Sequence, residues 1–158
     1  MMKRILIFSD THGYINDCVE LINRFKPDAV IHAGDCARDC EDLMSVFPET
    51  AIYGVSGNND FYAQLPNEIS TEICGKKVFV THGHAYRVKY ESNYRTLAAR
   101  AQECGAQLCV FGHTHIPYND NNGRMIVLNP GSIRFGGTYG ICEIDENTMR
   151  TDIIAYRS

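Results

Sequence analysis

The chain has 158 residues, 44% of them hydrophobic and 22% charged, with a formal net charge of −4. That length suits one domain, residues 1–158, with a substantial core. No apolar run approaches the roughly 20 residues needed to span a bilayer, and the acidic balance excludes a broad basic footprint for duplex nucleic acid.

The first apolar run, 5–8, is a strand ended by Ser9-Asp10. Asp10 and His12 cut it off too early for a signal peptide, so the expected location is the cytoplasm. Cys18, Val19, Ile22 and Phe25 follow at helical spacing, and Pro27 stops that helix. A strand over 29–31, a helix over 39–47 and a strand over 51–55 complete a first third that alternates strand and helix. This alternation favours a parallel sheet with helices packed on it. Two runs, 69–74 and 77–81, flank Gly75-Lys76 as a hairpin, and a helix over 93–104 ends at Gly105. Strands over 108–111, 125–128, 139–144 and 150–155 follow, with turns at Asn121-Asn122-Gly123 and Asp145-Glu146-Asn147. A strand-rich second half after a βαβ beginning points to two sheets packed face to face, with helices outside. Seven scattered cysteines, an odd number, fit reduced thiols better than a disulfide framework. Cys36-x-x-x-Cys40 lacks the second thiol pair of a cysteine-only zinc site.

Polar clusters fall at the ends of these strands: Asp10-Thr11-His12-Gly13, Gly34-Asp35, Gly57-Asn58-Asn59-Asp60, His82-Gly83-His84 and Gly112-His113-Thr114-His115. Functional groups of α/β sheets collect beyond the carboxyl ends of strands. Taken singly, Asp10 and Asn58 would serve equally as turn or N-cap residues. Together, aspartate, asparagine and histidine form the ligand set of a binuclear metal site, and mixed nitrogen and oxygen donors suit Mn²⁺, Fe, Zn²⁺ or Ni²⁺ better than Ca²⁺ or Mg²⁺. Two ions about 3.5–4 Å apart clamp the attacking and leaving oxygens of an in-line phosphoryl displacement. The flanking glycines suit tight turns or close backbone approach. His32, inside the second strand, is expected to be buried and hydrogen-bonded rather than a ligand. Arg87, Lys89, Arg95 and Arg100 lie in one region and are expected to form a solvated helix face.

The ordered set Asp10-x-His12, Gly34-Asp35, Gly57-Asn58-x-Asp60, His82 and Gly112-His113-x-His115 resembles the calcineurin-like metallophosphoesterases from residue 5 to about 135. The short length and Asn129-Pro130-Gly131-Ser132 resemble their small YfcE-type phosphodiesterase branch. The resemblance implies an α/β fold, a four-layered αββα sandwich with two mixed β-sheets face to face. It implies a metal-dependent phosphoesterase, most specifically a phosphodiesterase, with a binuclear centre, a metal-bridging hydroxide and a small phosphate-ester substrate. Asp10, His12 and His115 would hold the first metal, Asn58, His82 and His113 the second, and Asp35 would bridge both, with Mn²⁺ the first expectation.

One position departs from the pattern. Many relatives have Gly-Asn-His-Asp/Glu, whose histidine protonates the leaving group, and this chain has Asn59 there. Asparagine is no general acid, though it donates a hydrogen bond, and Asn59 is expected to contact the substrate. His84 then becomes the candidate proton donor or substrate contact, and chemistry biased toward good leaving groups is expected. Pro130-Gly131-Ser132 is expected to turn tightly near the metals, and Arg134 either pairs with a substrate phosphate or forms a surface salt bridge. A protein-interaction scaffold on the same fold is the alternative, as in the small retromer subunit, whose metal site is impaired; every ligand position here carries a ligating side chain. Simple metal storage explains the ligands but not a bridging geometry. A homodimer is the commonest assembly for such chains, and no membrane partner is expected.

Overall fold

The computed structural model describes residues 2–61 and 64–156. In chain order it contains β1 (Lys3–Phe8), α1 (Asn16–Phe25), β2 (Ala29–His32), α2 (Ala37–Val46), β3 (Ala51–Gly54), β4 (Glu68–Ile73), β5 (Lys76–Thr81), a short 3-10 turn (His84–Tyr86), α3 (Arg95–Glu103), β6 (Leu108–Val110), β7 (Tyr118–Asn121), β8 (Ile126–Asn129), β9 (Thr138–Ile144) and β10 (Met149–Ala155). They form two mixed sheets of five strands, ordered β10-β9-β1-β2-β3 and β4-β5-β6-β8-β7.

Period-two alternation within almost wholly apolar strands builds the four layers. Ile5, Ile7 and Ile31 from the first sheet meet Val78, Val80, Leu108, Val110 and Leu128 from the second in the core between the sheets. The alternate residues of β1, Leu6 and Phe8, face outward onto Cys18, Leu21 and Ile22 of α1 and Leu43 of α2. Phe79 and Cys109 on the second sheet likewise pack against Leu97 and Ala101 of α3. The expected αββα sandwich is therefore the fold.

Register determines where the strand ends emerge. Phe8 pairs with His32 and His32 with Gly54, so β1, β2 and β3 finish level. Val80, Val110 and Leu128 are likewise level across β5, β6 and β8. Parallel strands that end level deliver their following loops to one rim of the sandwich.

The expected elements are present, with shifted ends. α2 begins at Ala37 rather than 39, and α3 begins at Arg95 rather than 93, because the Asn93 side chain accepts the Arg95 N–H and Glu91 accepts both the N–H and hydroxyl of Thr96. β7 was not foreseen: its Tyr-Asn-Asp-Asn sequence has no apolar alternation, since it is a mostly exposed edge strand pairing only with β8. All seven cysteines are unpaired thiols, with Cys18, Cys40, Cys109 and Cys142 buried. Among the described residues no helix is long and apolar enough to cross a membrane.

Leu108 is fully buried between the sheets, so Leu108→Ala is expected to cost about 2–5 kcal/mol. Thr71→Ala, at an exposed position of β4, is expected to stay within about 0.5 kcal/mol. Urea unfolding of the two variants measures the contrast, and a small cost at Leu108 would contradict this account of the core.

Candidate metal centre

The loops after β1, β2, β5 and β6 bring Asp10, His12, Asp35, His82, His113 and His115 to one rim. Asp10 Oδ1 lies 3.1 Å from His115 Nε2 and 3.7 Å from His12 Nε2, and the two imidazole nitrogens are 3.4 Å apart. Asp10, Asp35 and His82 form a second group, fully buried. In each group the donor atoms all lie within 4.8 Å of one another, close enough to hold an ion, and Asp10 belongs to both. His113 stands beside the second group, its ring centroid 5.0 Å from that of His82. Asn58 is exposed on the loop after β3.

The surroundings aim these side chains. Asp10 Oδ2 accepts from the Ser9 hydroxyl and from the His113 N–H at 3.2 Å, which leaves Oδ1 for the imidazoles. Ser132 donates to the Asp10 carbonyl at 2.8 Å. Asp60 Oδ2 accepts both the Asp35 and Gly57 N–H groups, tying the loops after β2 and β3 together. Asp10, His12, Asp35, His113 and His115 all have left-handed backbones, with φ between 45° and 70°. This conformation is uncommon outside glycine, and such outliers gather at functional sites. The ligand-bearing turns are thus held by their surroundings rather than by local preference.

The His82 ring tests whether a cation fits. The Ala33 carbonyl can only accept, so His82 Nδ1 donates to it at 2.7 Å. Nε2 is then buried without a hydrogen-bond partner, facing Asp35 Oδ2 at 3.3 Å and Asp10 Oδ1 at 4.0 Å. A buried lone pair turned toward two carboxylates calls for a positive charge between them, either a proton or a metal ion. A backbone carbonyl on the other ring nitrogen is the usual way of orienting a metal-binding histidine. Burial pulls the His82 imidazole down, but Asp35 and the Asp10 charge outweigh it and raise it. Burial raises the Asp35 carboxyl, yet His82 and the Asn59 N–H and amide hold it near 2. Burial, with the charges of His82 and Lys89, pushes His113 down to about 4, leaving a neutral imidazole with a lone pair to offer.

Several expectations about neighbouring residues change or sharpen. His32 is fully buried, accepts the Gly34 N–H on Nδ1 and therefore donates from Nε2 to Thr11 at 2.9 Å; burial holds it near 4. Asn59, expected as a substrate contact, turns its amide onto Asp35 Oδ2 at 3.1 Å. His84 is exposed, with its ring 5.7 Å from His82 and 6.1 Å from His113. Arg134 lies over the Tyr14 ring at 4.9 Å. In the Pro130-Gly131-Ser132 turn, the Gly131 N–H is taken by Asn129 Oδ1. Phe135 went unforeseen: it is 65% exposed, yet its ring stands 5.0 Å from His12 and 5.8 Å from His115. An isolated aromatic in a glycine-rich loop carries no periodic signal that would single it out.

The model of the calcineurin-like phosphoesterase superfamily domain matches residues 2–147, and the chain belongs to that family. A probable metallophosphoesterase of Mycoplasma genitalium is 35% identical over 135 residues, 84% of this chain and 78% of that protein. A phosphodiesterase of Methanocaldococcus jannaschii is 28% identical over 151 residues, 81% of this chain and 82% of the other. A crystal structure of a predicted phosphoesterase from Streptococcus pneumoniae TIGR4 superposes with a TM-score of 0.83 at 33% identity, covering 99% of this chain and 91% of that one.

A Cβ at Gly57 would lie 2.0 Å from Asp35 Oδ1 and 2.8 Å from the Asp35 backbone nitrogen. Gly57→Ala is therefore expected to displace Asp35 and weaken metal uptake by about 10–100-fold, the usual cost of disturbing a ligand's support. Calorimetric titration with Mn²⁺ measures it, and unchanged affinity would contradict the close packing of the two loops.

Proposed function

We propose that the protein is a phosphodiesterase acting through a pair of divalent ions, with Mn²⁺ the favoured metal. The observation that carries this reading is His82 Nε2, buried and unpartnered between Asp35 and Asp10, in a chain of the phosphoesterase family with a relative named as a phosphodiesterase. In this reading Asp10, His12 and His115 hold one ion, and Asn58, His82 and His113 hold the other. Asp35 would be shared between the two ions, and Asp10 belongs to both donor groups. Ions bound there would act as Lewis acids and supply hydroxide near neutral pH.

The remaining roles belong to the chain itself. The Asn59 N–H and amide hold Asp35 ionised and oriented. His84 stands at the exposed mouth, next to His82 and His113, and is the side chain proposed to meet the departing oxygen. Arg134, exposed beside Phe135 on the far side, is the proposed partner for a substrate phosphate oxygen. Every ligand position carries a ligating side chain, which favours the enzyme reading over a catalytically weak, metal-binding scaffold on the same fold. Seven free thiols suit a reducing compartment and support a cytoplasmic location.

Metal-stripped protein titrated with Mn²⁺ is expected to gain hydrolysis of bis-p-nitrophenyl phosphate, and Asp35→Asn to lose about 100-fold or more of it. Turnover that ignores metal, or survives the substitution, would overturn the reading. Because Asn59 is committed to Asp35, diesters with poor leaving groups are expected to lag. Asn59→His is expected to help them more than p-nitrophenyl esters, as read from a plot of log kcat against leaving-group pKa. An unchanged slope would remove Asn59 from this account.

A further inference from the structure

We propose that the groove beside the His113-Thr114-His115 turn is a binding subsite for an aromatic ring carried by the phosphate ester. This rests on the phosphodiesterase reading and specifies its substrate class.

The groove has a volume of about 520 Å³ and is lined by residues 88–92, Tyr94, Thr114 and Ile116. That volume suits the organic portion of a ligand, far more than a methyl group. It adjoins the ligand-bearing turn, since Thr114 and Ile116 of its wall alternate along the chain with His113 and His115. Its walls are built rather than loose. Thr114 Oγ1 accepts the Asn129 amide at 3.0 Å and the Ile116 N–H at 3.1 Å, fixing Ile116 relative to the ligand turn. Tyr94, 6% exposed, forms the floor, with its ring centroid 4.7 Å from those of both Phe111 and Tyr118.

Two large apolar side chains are left open at this place. Tyr90 is 82% exposed and Ile116 61% exposed. The Arg87 guanidinium lies over the Tyr90 ring at 5.8 Å, and the turn is closed by the Tyr90 N–H donating to the Arg87 carbonyl. An exposed ring next to an apolar wall is a stacking platform that any planar ring can use. The charges also suit an anionic ester. Lys89 lines the groove. Glu91, the acidic group of the lining, is engaged by the N–H and hydroxyl of Thr96 at the start of α3. The arrangement thus offers a ring a flat apolar seat and offers an anionic ester a lysine in the groove lining.

Phosphonates test this without turnover, since their C–P bond is not hydrolysed. Full-length, Mn²⁺-loaded protein is titrated calorimetrically with phenylphosphonate, methylphosphonate and an adenosine 5′-phosphonate. Phenylphosphonate is expected to bind about 10-fold or more tighter than methylphosphonate, in line with the worth of base–aromatic stacking. Tyr90→Ala combined with Ile116→Ala should bring that ratio toward one, while Tyr90→Phe, which keeps the ring, preserves it. A further gain with the adenosine compound identifies a nucleotide ester as the class, and no gain identifies a simple aryl ester. Equal binding of the phenyl and methyl compounds by the wild type, or a preference that survives the double substitution, overturns the subsite. A ring preference in a protein that hydrolyses no diester would leave the subsite standing and bring down only the phosphodiesterase reading.

Discussion

Two carboxylates held against one buried imidazole nitrogen form the constraint around which this rim is organised. Asp10 and Asp35 both face His82 Nε2, and without a positive charge among them the arrangement would be strongly unfavourable in a buried setting. Much of the surrounding hydrogen bonding serves to keep them there. Ser9, Ser132 and the His113 N–H hold Asp10, and Asn59 and the Asp60 clamp hold the Asp35 loop. Such a network gathers negative charge that a proton on His82 or a bound cation would offset. The same hydrogen bonds explain how the turns keep left-handed backbones that their residue types disfavour.

The sandwich beneath supplies the precision. Level strand ends in both sheets place loops far apart in the chain within reach of one another, as with Asp10 and His115. The register is in turn enforced by burial on both faces, because slipping β1 by one residue would exchange Ile5 and Ile7 with Leu6 and Phe8 between two different cores. Hydrophobic packing therefore sets the positions of polar atoms that it never touches.

Much of this was legible in the sequence, for identifiable reasons. Strands such as 5–8 and 108–111 stood out because they are nearly all apolar and end abruptly in Asp, Gly or His. The clustering of Asp10, Asp35, His82 and His115 followed from those abrupt ends. β7 escaped because an exposed edge strand needs no apolar face. The orientation of Asn59 escaped because its partner lies 24 residues away, and residue type alone does not say whether an amide faces a ligand or a carboxylate. Phe135 escaped because its contacts with His12 and His115 are made across loops. The support given by Asp60 was only half visible: the motif marked the residue, but its two backbone acceptances are tertiary.

The polar sequence of β7 has a consequence beyond its pairing with β8. Its side chains cross to the other sheet: Asn119 donates to the Thr151 carbonyl of β10 and accepts from the Thr151 hydroxyl. The margins of the two sheets are thereby laced together along one side of the sandwich. An open margin of this kind is otherwise a template on which a second chain can add a strand. Here the amide and carboxylate side chains of Asn119, Asp120 and Asn121, together with the lacing, make a poor template. Growth of the sheet from molecule to molecule is discouraged at this corner, and a crowded solution of the protein gains protection against edge-on aggregation from a segment whose share in the core is the Tyr118 ring packed against Tyr94.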